Sequence, residues 1–284
     1  MVVRLIMINV GVFLFLRLFD LMFWLFNTNS PNLLQYLWSY SHLPTLIRNP
    51  WTVITYMFTH WHIFHLFWNM IILWMIGRIF EDLLGPKRLL GNYILGGIVG
   101  FVLFITAYNL LPQLNAGIGS PIMGASAGVM AVLIGLAAYR PELELHLLLL
   151  GPVRLKWVAL GVLFLDLISI REGNNSGGHI AHLGGALYGY VAGRQLIKGN
   201  DPSQQFVDFF VRLLKPLGQR RKVPRMRVEK RYARSTVASD TAYNTAKRDK
   251  QARVDAILDK ISRSGYDSLS KEEKDFLFKA SGEA

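Results

Sequence analysis

An all-α fold, a polytopic membrane bundle of six transmembrane helices with a small helical tail, is the class this sequence predicts. Of its 284 residues 52% are hydrophobic, and the mean hydropathy of +0.29 is too high for a soluble domain of that size. The apolar character stops near Lys198: residues 1–200 hold 12 Lys and Arg and 7 Asp and Glu, whereas residues 201–284 hold 19 and 12. Polar connections divide the apolar part into segments long enough, at ~1.5 Å per residue, for a hydrocarbon core of roughly 30 Å. Three regions follow: a membrane body over 1–198, a basic amphipathic juxtamembrane segment and linker over 199–249, and a small helical hairpin over 250–284.

Residues 2–26 form the first apolar segment and read as a span, because no polar region with a small-residue cleavage site follows them. Arg17 and Asp20 inside it either neutralise each other on one helix face or reach the interface. Residues 27–55 are rich in Asn, Pro, Ser, Trp and Tyr, carry Arg48 as their one charge, and suit the headgroup region. The second span, about 61–79, carries His65 and Asn69 and leaves through Arg78, Glu81, Asp82, Lys87 and Arg88. From Leu89 to Tyr139 there are 51 residues without a charge, too many for one crossing. Pro112, Asn115, Gly117 and Gly119 break this run at 109–120 into spans three and four. A charged connection at 140–156, span five at about 153–170, a turn at 171–176 and span six at about 178–198 complete the body.

Connections 78–88 and 140–156, together with both termini, hold nearly all the basic residues, which predicts cytoplasmic termini. The expected location is therefore an integral multi-pass position in a bacterial inner (plasma) membrane. The net charge of +12 comes mostly from the tail, where residues 220–234 hold eight basic residues and predict attraction to membrane lipids. No nucleic-acid module is recognisable. Residues 206–217 suggest an interfacial amphipathic helix, and residues 235–247 a linker. Helical spacing of Val254, Ile257, Leu258 and Ile261, a break at Ser264-Gly265 and a capping box from Ser270 to Glu273 predict the terminal hairpin, whose partner the sequence does not name.

The chemistry centres on Ser126, in the stretch PIMGASAGVMAVLIGLAAY over 121–139. A helix starting at Pro121 puts Ser126 ~7 Å deep, and one starting near Gly178 puts His182 ~6 Å deep. Spans two, four and six run in one direction, so His65 and Asn69 share that layer. Polar groups are expensive in lipid, so their convergence predicts function. The reading is Ser126 as nucleophile and His182 as general base, a dyad with no carboxylate, since Asp166 is placed near the end of span five. The oxyanion would be met by the Ser126 N–H, the positive end of its helix, and the side chains of Asn69 and His65. Alone, GxSxG is a weak signal, and Gly124 and Gly128 equally make a packing pair. Ala181, Gly185, Gly189 and Gly193 form a second small-residue stripe, and the two stripes would let spans four and six approach closely. His60, His62, His65, His179 and His182 raise a metal site, but without HExxH, a neighbouring carboxylate or any cysteine none is expected, nor any cofactor; His60 is read as fixing its loop by hydrogen bonding and His179 as interfacial.

MFTHWHIFHLFWN (57–69), GASAG (124–128) and AHLGGALYG (181–189), in that order on spans two, four and six, make residues 3–198 resemble the rhomboid intramembrane serine proteases. The resemblance implies a Ser126–His182 dyad, an oxyanion site including His65 and Asn69, and the Gly124 backbone position ahead of the nucleophile. It also implies cleavage of transmembrane protein substrates near the extracytoplasmic face, often at small residues in helices that unwind easily. Two positions depart from the pattern. Met130 stands where some rhomboids have a tyrosine that stacks on the histidine, and Trp51-Thr52 where many have Trp-Arg. The alternative function is a non-proteolytic rhomboid-like module that binds membrane proteins.

Overall fold

The computed structural model describes residues 1–29, 31–147, 151–171, 175–214 and 237–281, in two compact units, Met1–Gln219 and Arg220–Ala284. The basic run at 220–234 lies outside the described residues. Six helices make the body of the first unit: α1 Val2–Leu25, α2 Ile63–Leu84, α3 Pro86–Leu110, α4 Ser126–Tyr139, α5 Leu155–Ser169 and α6 Ser176–Ile197. The chain is an all-α polytopic membrane protein, as expected: α1, α2 and α3 are each long and apolar enough to cross a membrane, and α4 is a shorter apolar helix. Met7, Phe15, Leu18, Trp24, Phe64 and Trp68 are exposed, an arrangement that lipid tolerates and water opposes.

The centre of the bundle is α4. It is apolar all round and buried at every residue from Ala127 to Ala137, the mark of a helix enclosed by others. Helices α2, α3, α5 and α6 pack on it, and the seam with α6 is the tightest because it is built on glycine. A Cβ added at Gly185, Gly189 or Gly193 would stand inside 3.0 Å of the backbone oxygen of Ala127, Ala131 or Gly135 respectively. Three glycines spaced by four thus face three small residues spaced by four. The packing pair expected of Gly124 and Gly128 does not form. Gly128 faces α3, where its added Cβ would lie 2.6 Å from the Tyr93 carbonyl oxygen, and Gly124 precedes the helix with φ +122°.

The start of α4 also differs from expectation. Pro121–Ile122 is a strand (β2) paired antiparallel with Ser39–Tyr40 (β1), and the Gly124 N–H donates to the Tyr56 carbonyl at 2.9 Å. These bonds keep residues 121–124 out of the helix, which therefore begins at Ser126, and its 14 residues span only ~21 Å. Other boundaries shift for equally local reasons. The 78–88 connection is helical except at Gly85, whose φ of +88° makes the turn before Pro86 opens α3. The 140–156 connection holds an antiparallel hairpin of β3 Glu144–Leu147 and β4 Gly151–Arg154. Arg17 is held by Trp61: its guanidinium donates to the Trp61 carbonyl and lies 3.8 Å from that ring's centroid.

A further helix, α7 Pro202–Leu213, docks at the head of α3. Asp201 caps it by accepting from the Gln204 N–H at 2.9 Å and pairs with Arg88 at 2.5 Å, while Asp208 pairs with Lys87 at 2.5 Å. Asn92 donates to the buried Ser203 hydroxyl at 3.0 Å. Phe209, Phe210, Leu213 and Leu214 remain exposed on its other side.

The second unit contains α8 Val237–Ser264 and α9 Lys271–Ser281. The linker expected up to residue 249 is helical from Val237 onward, because the helix-forming run Thr245–Val254 carries no Gly or Pro to stop it. Ser270 and Glu273 close the capping box reciprocally, at 3.3 Å from the Glu273 N–H to the Ser270 hydroxyl and 2.7 Å from the Ser270 N–H to the Glu273 carboxylate. Lys260 reaches the same carboxylate at 2.9 Å. Ser270→Ala should weaken α9 by about 1 kcal/mol. Hydrogen exchange in the full chain should then show its first-turn amides opening ~5-fold more often, with those of α2–α6 unchanged.

Candidate active site

Ser126 is the first residue of α4, so the unpaired N–H groups and positive end of that helix surround it. The loop that delivers it is fixed at two successive peptides. Besides the Gly124–Tyr56 bond, the Ala125 N–H donates to Nε2 of His60 at 3.3 Å. A backbone N–H can only donate, so Nε2 carries the lone pair and the ring proton is on Nδ1. Burial first, then the neighbouring His65, holds the His60 imidazole down to about 3, which keeps it a neutral acceptor. Gly124 is required twice over: its φ is left-handed, and an added Cβ would stand 2.7 Å from Cε1 of His65.

His65 lies against the Gly124 backbone, edge-to-face with His60 at 5.1 Å between ring centroids. Asn69, one turn further along α2, is buried and donates to the His65 carbonyl at 2.9 Å, with the same nitrogen 3.4 Å from Nε2 of His60. His60, His65 and Asn69 therefore line the loop that leads into Ser126.

His182 reaches the same layer from α6. Gly100 of α3 marks the level: a Cβ there would lie 2.7 Å from Cβ of Ala127 and 2.6 Å from the Ala181 carbonyl oxygen. The residues next to Ser126 and next to His182 thus meet at one glycine, and Gly185, one turn after His182, packs on Ala127. Among the described residues no hydrogen bond joins Ser126 to His182. The partner of His182 is a carboxylate, with its Nδ1 2.9 Å from Oδ1 of Asp166. Nδ1 of His179 is 2.7 Å from the same oxygen.

This corrects the expectations that no carboxylate serves His182 or neighbours the histidines, and that His179 is interfacial. The reason is the α5–α6 hairpin, closed by the Ser176 hydroxyl donating to the Ile170 carbonyl at 2.7 Å. Asp166 sits about 4.5 Å back from the end of α5, and His179 and His182 about 4.5 and 9 Å into α6. Antiparallel helices bring these positions level, and the i,i+3 spacing puts both imidazoles on one face. The signal was available: Asp166 is the only acid in spans two to six, and a buried carboxylate in lipid needs partners. The three ligand atoms of Asp166, His179 and His182 lie within 4.8 Å of one another, close enough for a metal to bridge. Separations of 2.7 and 2.9 Å, however, are those of imidazole N–H donors on a carboxylate oxygen.

A family profile described as Rhomboid domain matches residues 48–199, more than half of the chain, and one described as a family of unknown function (DUF6576) matches residues 238–283. Among curated proteins the chain is similar to "Presenilin-associated rhomboid-like protein A, mitochondrial" of Danio rerio, 31% identical over 49% of this chain and 37% of that protein. It is similar to "RHOMBOID-like protein 12, mitochondrial" of Arabidopsis thaliana, 28% identical over 70% of this chain and 59% of that protein. The Homo sapiens "Presenilin-associated rhomboid-like protein, mitochondrial" is 29% identical over 51% of this chain and 38% of its own length. The chain thus spans between about a third and three fifths of these relatives, from 37% to 59%. All three are mitochondrial by name, which overturns the expected bacterial inner membrane; the multi-pass membrane character stands.

Proposed function

The chain belongs to the rhomboid family, and we propose that it acts as an intramembrane serine endopeptidase cleaving transmembrane protein substrates with Ser126 and His182. The observation that supports this reading is that Ala127 and Ala181, the neighbours of Ser126 and His182, both pack at Gly100, which sets a serine at a helix start level with a histidine on the adjacent helix. In acylation, Nε2 of His182 takes the Ser126 hydroxyl proton as Oγ attacks the scissile carbonyl. The oxyanion forms beside the N-terminus of α4, where the Ser126 N–H, Asn69 and His65 can donate. The imidazolium returns its proton to the leaving amine, and water, activated the same way, hydrolyses the acyl-enzyme. A helical substrate must first unwind, because its peptide carbonyls are paired and shielded; helix-weakening residues such as glycine near the site ease that step. Cleavage belongs at the membrane face on which the α5–α6 turn lies.

The two departures from the family pattern have local substitutes. Thr52 donates to the Asn49 carbonyl at 2.7 Å and lies 3.1 Å from the Ser39 hydroxyl, so hydroxyl bonds hold the loop where others use arginine. Met130 is buried in α4 and offers no ring for His182, whose orientation comes from Asp166 instead. Lipids are proposed partners of the exposed apolar side of α7.

The test is a serine-directed fluorophosphonate probe on the folded, detergent-solubilised protein, with cleavage of a reporter transmembrane protein in vesicles. Labelling at Ser126 together with cleavage supports a protease; a folded protein that does neither is a rhomboid-like binding module. Asn69→Ala should lower kcat ~10²–10³-fold with KM little changed, the signature of a donor used mainly in the transition state.

A further inference from the structure

We infer that Asp166 is a positioning residue that orients His182 behind the Ser126–His182 pair, with His179 as the second donor holding its carboxylate. The inference rests on Ser126 and His182 being nucleophile and base. An ionised carboxylate only accepts hydrogen bonds, so both imidazoles present Nδ1–H to Oδ1. His182 is thereby fixed as the tautomer with its lone pair on Nε2, the atom that must take the serine proton. During attack one proton passes from Oγ to Nε2, the Nδ1 proton stays on His182, and Asp166 faces the new imidazolium without taking a proton itself.

A purely structural role fits the surroundings poorly. Asp166 is 6% exposed on a helix whose neighbouring Phe164, Leu165, Leu167 and Ile168 face outward, and an apolar residue would close the α5–α6 seam without the desolvation cost of a carboxylate. Its Oδ2 has no hydrogen-bond partner among the described residues, so its interactions go wholly to the two imidazoles. His179 stands edge-to-face with His182 at 5.7 Å, and at 2.7 Å its bond is the shorter of the two that hold the shared oxygen.

The experiment uses the full chain in detergent, with Asp166→Asn and His179→Gln variants. It reads kcat and KM on a transmembrane reporter and the tautomer of His182 by ¹⁵N-histidine NMR. Wild type should show His182 protonated at Nδ1. Asp166→Asn should lose kcat about 10⁴-fold with KM within about 3-fold, and its His182 should populate the opposite tautomer. His179→Gln, which keeps a donor for Oδ1, should stay within about tenfold of wild type. A folded Asp166→Asn protein with wild-type kcat, or with His182 unchanged, overturns the inference. Should that variant not fold, the wild-type spectrum decides alone: a proton on Nε2 overturns it. The tautomer readout needs no turnover, so a protein that neither labels nor cleaves fails the protease reading while leaving this one measurable. Conversely, full activity without Asp166 fails this one only.

Discussion

Ser126→Ala and His182→Ala should each abolish cleavage of a transmembrane reporter, with kcat falling on the order of 10⁶-fold, the loss expected when either half of a nucleophile–base unit is removed. The two groups do one job, so the double variant should be no slower than either single one. Folding should survive both changes. The Ser126 side chain is half-buried and makes no hydrogen bond among the described residues, and truncating it to alanine keeps the helix start. Removing His182 leaves Asp166 its shorter bond to His179, which spares the carboxylate from being orphaned. Thermal unfolding in detergent should therefore place both variants near wild type while the fluorophosphonate signal disappears. Cleavage that persists in Ser126→Ala would put the nucleophile elsewhere and sink the proposal.

What was legible in the sequence follows from how local each cause is. Lipid imposes its demand residue by residue, so runs of uncharged side chains locate α1 to α6 within a few positions, and Pro112 with Gly117 and Gly119 mark the break between α3 and α4. Ser126, His182, His65 and Asn69 stand out as candidates because a polar side chain in such a run is conspicuous. Pairings between distant segments were not. Nothing local in Pro121–Ile122 says that Ser39–Tyr40 will hold it extended, so the start of α4 was placed five residues early. The same blindness hid Asp166 from His182: sixteen residues and a turn separate them, and only the antiparallel return of α6 brings them together. Gly128 was read along its own helix, whereas its neighbour in space is Tyr93 of α3.

Gly185 carries the second large effect, because it joins folding to chemistry. Its added Cβ would overlap the Ala127 carbonyl and stand 2.8 Å from that carbonyl's carbon, and backbone in the middle of a packed bundle cannot yield as a flexible side chain does. Overpacking ordinarily costs ~1–3 kcal/mol, and here Gly185→Ala should exceed that range and Gly185→Val should prevent assembly. A matched control lies on α5: at Gly161 an added Cβ meets nothing within 4 Å, so Gly161→Ala should be neutral or stabilise by up to about 1 kcal/mol through helix propensity. The contrast separates a seam effect from a general intolerance of side-chain bulk. Because Ala127 follows the serine and Gly185 lies one turn after His182, any Gly185→Ala molecules that still fold should hold α4 and α6 further apart. They should therefore lose probe labelling at Ser126 out of proportion to their loss of thermal stability, whereas Gly161→Ala keeps both. An unfolding temperature and labelling rate equal to wild type in Gly185→Ala would mean that the α4–α6 seam is looser than its glycines imply, and that the reactivity of Ser126 does not depend on how closely α4 and α6 approach.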